Sequence, residues 1–260
     1  MAKYAGRKAV VVGGATGLGL AIAKRLVEGG ARVLLTGGAP DEFADAAAQL
    51  GPTARITACD PAEPDAADAL AGVVEGAFGA LDMLFVTTEA DPSGQAAGSG
   101  DVHGDRPFAV AAKRAFYAAR ALAPLVADDG AIVFTTSGAD ACRPGTPGAG
   151  VHAMTASATR ALARVLAAEL ADRGVRVNAV APGAIDTARE TEPASSGARD
   201  ATRSRRVTTP LGRRGSVEEV ARAALFLAAD ATFTTGTVLA VDGGLASCPD
   251  PDFGPSAALG

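Results

Sequence analysis

The chain has 260 residues, a length that suits one large α/β domain or two small ones. Its hydrophobic content of 48% is enough for a sizeable core, and its net charge of −5 argues against a nucleic-acid-binding surface. No apolar run approaches the ~18 residues of a membrane span, and the first eight residues lack the apolar centre of a signal peptide. The three cysteines show no metal-site spacing, so we expect reduced thiols in a cytoplasmic protein.

Short, nearly continuous apolar runs alternate with longer amphipathic runs along the chain. Such apolar runs are typical of parallel strands that helices cover on both faces. The predicted strands are residues 9–12, 32–35, 55–58, 83–86, 131–135, 175–180 and 238–241. The predicted helices are residues 19–28, 40–49, 64–76, 108–126, 153–171 and 217–227. This alternation predicts right-handed βαβ units in a Rossmann-like α/β fold, a doubly wound parallel sheet of about seven strands.

A single domain is expected over residues 1–247, because the sequence shows no internal repeat and no linker. Residues 248–260 contain three prolines and are predicted to form a C-terminal tail. The longest predicted loops, residues 89–107, 139–151 and 188–209, follow the carboxyl ends of strands. Ligands of open α/β sheets bind outside those ends, so we expect these loops to wall a site.

A glycine-rich turn separates the first predicted strand from the first predicted helix. It contains Gly13, Gly17 and Gly19 in a Gly-x3-Gly-x-Gly spacing. Gly13 permits a tight turn, Gly17 lets the backbone approach phosphates, and Gly19 lets the helix pack on the sheet. The helix N-terminus then offers free N–H groups and a positive dipole end to a pyrophosphate. The turn predicts dinucleotide binding; a turn kept for packing alone is the alternative.

With further blocks in order, this turn makes the chain resemble the short-chain dehydrogenase/reductase family over residues 6–245. The other blocks are Asp60, residues 82–84, residues 130–133, Ser137, residues 176–183, Thr187, residues 210–213 and residues 241–244. The resemblance implies NAD(P) binding by Gly13, Gly17, Gly19, Asp60, Pro182, Gly183 and Thr187. It also implies a small-molecule substrate and a homodimer or homotetramer built through the predicted helices 108–126 and 153–171.

The sequence does not choose between NAD and NADP. In the family, a carboxylate at the end of the second strand holds the ribose hydroxyls, whereas an arginine nearby accepts the extra phosphate. The corresponding positions are Gly37 and Gly38, which supply neither a carboxylate nor an arginine. Asp41 and Glu42 follow, and we expect them to charge the first turn of the next helix instead.

The family's redox site uses Asn, Ser, Tyr and Lys, and only the serine, Ser137, aligns. The Asn position falls on Ala111, and the Tyr and Lys positions fall on His152 and Ala156. The resemblance therefore implies a divergent member with an atypical active site.

Neither of the two tyrosines and none of the four lysines is expected to substitute for the missing pair. Tyr117 and Lys113 share the predicted helix that contains Ala111, six and two positions further on. At 3.6 residues per turn both are predicted to point away from the site.

His152 and Ser137 are the candidate catalytic residues. An imidazole titrates at about 6.5, so His152 is able to act as an acid or base without the lysine that a tyrosine needs. Ser137 is able to hydrogen-bond a substrate carbonyl. The alternatives are a structural or exposed histidine and a hydroxyl satisfied at a strand end. No metal site is predicted, since two distant histidines and scattered carboxylates form no recognisable ligand set.

Three further features have open roles. Glu89 stands where the family's glycine leaves room beside the adenosine ribose, and a carboxylate there would disfavour a phosphate. His103 is interpreted as a surface-loop residue. The arginines between Arg199 and Arg214 either attract an anionic substrate or cofactor phosphate, or form a solvated segment with nearby acids.

Our main hypothesis is an enzyme that performs non-redox acid–base chemistry in small-molecule biosynthesis, such as cyclisation, dehydration or isomerisation, with His152 and Ser137. The first alternative is an NAD(P)-dependent oxidoreductase in which His152 replaces the tyrosine. The second is a non-catalytic homologue that binds a ligand or another subunit. Fold analogy supports all three and decides none.

Overall fold

A computed structural model describes residues 2–15, 17–37, 40–88, 112–136, 149–186 and 209–247. Seven parallel strands form one sheet in the order β3-β2-β1-β4-β5-β6-β9, and two short strands, β7 and β8, pair beside it. The order reverses at β1, because the chain moves outward through β2 and β3 and then returns to place β4 on the other side. This is the doubly wound Rossmann arrangement, so the predicted fold class is confirmed.

The elements follow one another as the sequence pattern predicts. The strands are β1 (Lys8–Val12), β2 (Arg32–Gly37), β3 (Ala54–Ala58), β4 (Leu81–Val86), β5 (Val126–Thr135), β6 (Arg176–Pro182), β7 (Ile185–Asp186), β8 (Gly215–Ser216) and β9 (Val238–Val241). The described helices are α1 (Gly17–Glu28), α2 (Pro40–Leu50), α3 (Pro64–Phe78), α4 (Arg114–Leu122), α5 (Ala149–Glu169) and α6 (Val217–Leu225). None of these helices is long and apolar enough to cross a membrane.

The sheet is covered on both faces, which explains its continuous apolar strands. Val10 lies between Leu34 of β2 and Leu84 of β4, and all three pack toward α3, α4 and α5. The next residue, Val11, packs on the opposite face with the side chains of α1, α2 and α6. Alternate residues of each central strand therefore enter two separate cores, and the helices leave the carboxyl ends of the strands accessible.

The predicted boundary between the fourth helix and the fifth strand is wrong by several residues. Residues 123–126 are predicted as helix, but α4 ends at Leu122, a 3-10 turn covers Ala123–Leu125, and β5 begins at Val126. Pro124 explains the change, because proline lacks the backbone N–H of an α-helical hydrogen bond and its ring clashes with the carbonyl of the residue four positions before it. The strands β7 and β8 have two residues each, too few to leave a periodic signal in the sequence.

Candidate functional site

The candidate site lies at the carboxyl edge of the sheet, where β1 and β4 are neighbours but continue toward opposite sides. Such a switch point opens a crevice in which doubly wound sheets bind ligands. Gly13 follows β1 and Thr87 follows β4, and the Thr87 N–H donates to Val12 O at 2.8 Å. The crevice therefore begins at the glycine turn.

The three glycines of the turn serve different geometric needs. Gly13 and Gly17 have positive φ values of 75° and 59°, which glycine adopts at least cost. A Cβ atom added at Gly19 would lie 2.8 Å from Gly14 O and 2.9 Å from Gly13 O. Gly19 thus lets α1 approach the backbone of its own turn, rather than the sheet as predicted. This cradle fits a pyrophosphate at the start of α1, as the sequence motif predicts.

Buried threonines close the edge of the sheet below the crevice. Thr36 accepts a hydrogen bond from the Gly13 N–H at 3.0 Å and fixes the glycine turn on β2. Thr87 donates to Val12 O at 3.0 Å, and Thr88 donates to Thr135 O at 2.5 Å. These hydroxyls join β4 to both neighbouring strands. Sequence reasoning overlooked Thr36 and Thr87, although both follow the apolar residues of a predicted strand.

Asp60 stands just beyond β3 and forms a two-pronged ion pair with Arg114 of α4. Arg114 Nε donates to Asp60 Oδ1 at 2.9 Å, and Nη2 donates to Oδ2 at 2.8 Å. Burial would raise the pKa of the Asp60 carboxyl, but the hydrogen bonds and charge of Arg114 and the Ala62 N–H hold it below its ordinary value. The sequence gives no signal for this pair, because its members are 54 residues apart.

Pro182 and Gly183 lie at the end of β6, next to the last strand. The Gly183 N–H donates to Val241 O at 3.0 Å, and a Cβ atom at Gly183 would lie 2.5 Å from the Asp242 Cβ. Close packing against Asp242 therefore requires glycine here, in addition to the cofactor role that the resemblance implies. Thr187, the next residue of that predicted set, lies outside the described residues.

The catalytic candidates are only partly described. Ser137 and the side chain of His152 lie outside the described part, while the backbone of His152 belongs to the first turn of α5. Ala156, one turn further along, is 2% exposed, and the Thr136 hydroxyl donates to its carbonyl oxygen at 3.3 Å. Ala156, which the sequence resemblance aligns with the family's lysine, is thus buried beside the end of β5.

The nearest tyrosine and lysine in sequence line a different part of the molecule. Tyr117 and Lys113 border a cavity of about 280 Å³ between α4 and α5, together with Phe116 and Thr159. Tyr117 contacts Phe116 edge to face, with ring centroids 5.3 Å apart. The remaining tyrosine and lysines have other partners: Tyr4 contacts Gly29, Lys3 pairs with Asp230, Lys8 donates to Phe78 O and Lys24 donates to Gln49.

Two arginines of the predicted basic segment are described, and both are paired. Arg213 donates to Glu219 at 2.7 and 3.0 Å, and Arg214 lies 2.6 Å from Asp186. These contacts tie the entry of α6 to β7 and β8. The other arginines of the segment, with Glu89 and His103, lie outside the described residues.

Comparison with known proteins identifies relatives along nearly the whole chain. Residues 13–246 match the family described as Enoyl-(Acyl carrier protein) reductase. Oxidoreductase asL5 of Sarocladium schorii is 33% identical over 248 residues, which cover 94% of this chain and 97% of the relative. The 3alpha-hydroxysteroid dehydrogenase of Mediterraneibacter gnavus is 31% identical over 241 residues, which cover 90% and 95%.

Solved structures agree with these relatives. A short-chain dehydrogenase/reductase from Serratia marcescens superposes with a TM-score of 0.78 at 30% identity, covering 94% of this chain and 99% of the other. A short chain dehydrogenase from Burkholderia cenocepacia in complex with NADP superposes with a TM-score of 0.80 at 30% identity, covering 95% and 100%. The names of these relatives favour the oxidoreductase alternative and give no support to the non-redox chemistry of our main hypothesis. The chain belongs to the short-chain dehydrogenase/reductase family.

Proposed function

We propose that this protein is an NAD(P)-dependent oxidoreductase for a small-molecule carbonyl or alcohol, in which His152 replaces the family's tyrosine. Relatives along the whole domain are named oxidoreductase, dehydrogenase or reductase, and one was solved with NADP. This proposal replaces the cyclisation, dehydration or isomerisation that the missing tetrad suggested.

The glycine cradle carries the proposal. Gly19 is packed against the carbonyl oxygens of Gly13 and Gly14 more tightly than any residue with a Cβ tolerates. The cradle opens at the N-terminus of α1, where free N–H groups and the helix dipole favour a phosphate group.

The acid–base step is assigned to His152 and Ser137. A bound reduced nicotinamide supplies hydride to a carbonyl carbon, and the protein must deliver a proton to the carbonyl oxygen. The His152 imidazolium donates that proton, while the Ser137 hydroxyl hydrogen-bonds the same oxygen. Because Ala156 supplies no ammonium, a phenol here would keep its ordinary pKa of about 10, whereas an imidazole titrates near neutrality unaided.

Nucleotide titration and turnover test the two parts of the proposal separately. NADPH and NADH are titrated by fluorescence, and a panel of small aldehydes and ketones is then screened by loss of reduced nicotinamide. Binding with turnover supports the proposal. Failure of both nucleotides to bind contradicts it, and binding without any turnover favours the non-catalytic alternative.

His152→Ala is expected to lower kcat by about 10²–10⁴-fold while nucleotide Kd stays the same, because only the proton donor is lost. The wild-type reduction rate should fall as pH rises above about 6.5, since the imidazolium is the active form. His152→Tyr is the matched variant. The pH at which its reduction rate begins to fall should be higher than in the wild type, because a phenol loses its proton at a higher pH than an imidazolium. A wild-type rate that stays flat to about pH 10 contradicts the assignment.

The chain is further proposed to form an oligomer through α4 and α5, where the family resemblance implies a homodimer or homotetramer. Both helices expose large apolar side chains: Phe116 is 50% exposed, and Met154 and Val165 are each 53% exposed. Phe116 also borders the cavity between the two helices. A second copy would bury this surface, and exposed patches of this kind mark interaction sites.

Light scattering after size exclusion tests this interface. Phe116→Glu is expected to shift the protein to a monomer, because it places a charge in the apolar contact. Phe233→Glu is the control, since Phe233 is fully exposed in the turn before β9 and belongs to neither helix. A monomeric wild type, or dissociation by the control alone, rules out the proposed interface.

A further inference from the structure

A guanidinium group occupies the nucleotide edge of the sheet, where neither the sequence motif nor the family resemblance places one. Arg114 is the first residue of α4, and its side chain is only 14% exposed. Nε and Nη2 bind the Asp60 carboxylate after β3. Nη1 lies on the other side, 3.1 Å from where a Cβ atom of Gly13 would be. The side chain therefore spans from the end of β3 to the glycine turn after β1.

The strand between these two contacts is β2, whose end is closely tied to both. The Gly13 N–H donates to Thr36 Oγ1, and the Cys59 N–H donates to Gly37 O at 3.2 Å. The guanidinium thus spans the carboxyl edge of the sheet from Asp60 after β3 to Gly13 after β1, and β2 is the strand between them. Gly37 offers no carboxylate to accept ribose hydroxyls, and a Cβ atom there would come within 2.8 Å of Phe43.

The two sides of the guanidinium have different surroundings. The Asp60 carboxylate accepts the hydrogen bonds from both Nε and Nη2. Its lowered pKa keeps it ionised at neutral pH. Among the described residues, the structure records no hydrogen bond from Nη1. Asp60 therefore fixes the plane of the side chain and leaves Nη1 available on the crevice side. A fixed guanidinium N–H is a strong donor to phosphate oxygens.

We propose that Arg114 binds the 2′-phosphate of NADP(H) and that Asp60 positions it for this contact. The inference rests on the proposed NAD(P) binding and deepens it by assigning cofactor preference to a residue of α4. Asp60 partly neutralises the charge of the guanidinium. The preference for NADP(H) over NAD(H) therefore comes from the directed hydrogen bonds of Nη1. A dinucleotide without this phosphate gains nothing from them, so the protein favours NADP(H) over NAD(H).

Arg114→Gln tests the proposal, with Kd for NADPH and for NADH measured in the same preparation. The wild type should bind NADPH more tightly. The variant should raise the NADPH Kd by about ten- to a hundredfold, the loss of one charge-assisted hydrogen bond, and leave the NADH Kd within about twofold. Arg120→Gln is the matched control, because Arg120 makes a similar 2.8 Å pair between α4 and α3, with Asp68. It should change neither Kd.

The comparison of two nucleotides separates a lost contact from a damaged fold, since misfolding weakens both. Equal weakening of both nucleotides, tighter NADPH binding by Arg114→Gln, or a wild type that prefers NADH overturns the role of Arg114 while the proposed function stands. A wild type that binds neither nucleotide overturns both.

Discussion

At the scale of single residues, the glycine turn and the Asp60–Arg114 pair show what a motif predicts and what it omits. The spacing of Gly13, Gly17 and Gly19 predicted the turn, because backbone conformation at such positions depends on the local residue. It did not predict that Gly19 approaches the turn itself rather than the sheet. Arg114 lay beyond prediction, since its contact with Asp60 arises only when α4 and β3 meet in three dimensions.

Gly19→Ala is expected to destabilise the protein by about 1–3 kcal/mol, because the new methyl group must displace backbone atoms of Gly13 and Gly14. Nucleotide binding should weaken with it, since the same backbone forms the cradle. Gly72→Ala in α3 is the matched control: an added Cβ meets nothing within 4 Å there. Alanine's higher helix propensity should make that variant more stable by up to about 1 kcal/mol. Urea denaturation measures both, and equal effects contradict the steric explanation.

At the scale of elements, apolar periodicity located the strands and helices but not all of their ends. Most core residues of β1, β2 and β4 were within the predicted strands, because burial on both faces leaves a continuous apolar run. Leu81, a fully buried residue of β4, lay before the predicted start of its strand. The boundary between α4 and β5 was missed, since an apolar and alanine-rich run satisfies either pattern until Pro124 interrupts it. The N-terminus of α6 is better defined than the boundary between α4 and β5, because Ser216 and Glu219 form a capping box there.

Glu219 makes the stability of α6 depend on pH. Hydrogen bonds from Arg213 and from the Ser216 N–H lower its pKa to about 2, from an ordinary value of 4.5. A depressed carboxyl pKa stabilises the fold above the unfolded value and loses that contribution as pH falls through the folded value. Glu219→Gln should therefore be less stable than the wild type at pH 6, and the difference should shrink below about pH 4.5.

Chemical denaturation across this pH range measures the difference between the two proteins. Glu218→Gln is the control, because Glu218 is an exposed neighbour in the same turn and takes no part in the capping box. A gap between Glu219→Gln and the wild type that persists unchanged down to about pH 3 contradicts the assignment to the Glu219 carboxylate.

At the scale of the whole molecule, topology was easier to predict than chemistry. Alternating strands and helices with right-handed crossovers allow few arrangements, so a doubly wound parallel sheet of about seven strands followed from pattern alone. The reaction type did not, because the resemblance aligns the buried Ala156 with the family's lysine without revealing what replaces the function of that lysine. The missing residues pointed to non-redox chemistry, whereas the named relatives support an oxidoreductase. A site made of loops from several strands is specified by contacts distant in sequence, which periodicity does not encode.

Truncation after Ser247 tests whether the domain ends where the sequence predicts. The last described residues form a hydrogen-bonded turn. The Asp242 carboxylate accepts hydrogen bonds from the Gly244 and Ala246 N–H groups, each at 2.8 Å. The Ser247 N–H returns to Gly244 O at 3.0 Å. Since all seven strands of the sheet precede this turn, removal of residues 248–260 should change Tm by no more than about 2 °C.

Asp242→Ala is the comparison variant for that truncation, because it removes both capping acceptors without shortening the chain. It should lower stability by about 1–2 kcal/mol, since two hydrogen bonds are lost, and thereby lower Tm more than the truncation does. Differential scanning calorimetry compares the three proteins at one concentration. A larger loss from the truncation than from Asp242→Ala would mean that residues 248–260 belong to the folded domain, and the predicted boundary at 247 would be wrong.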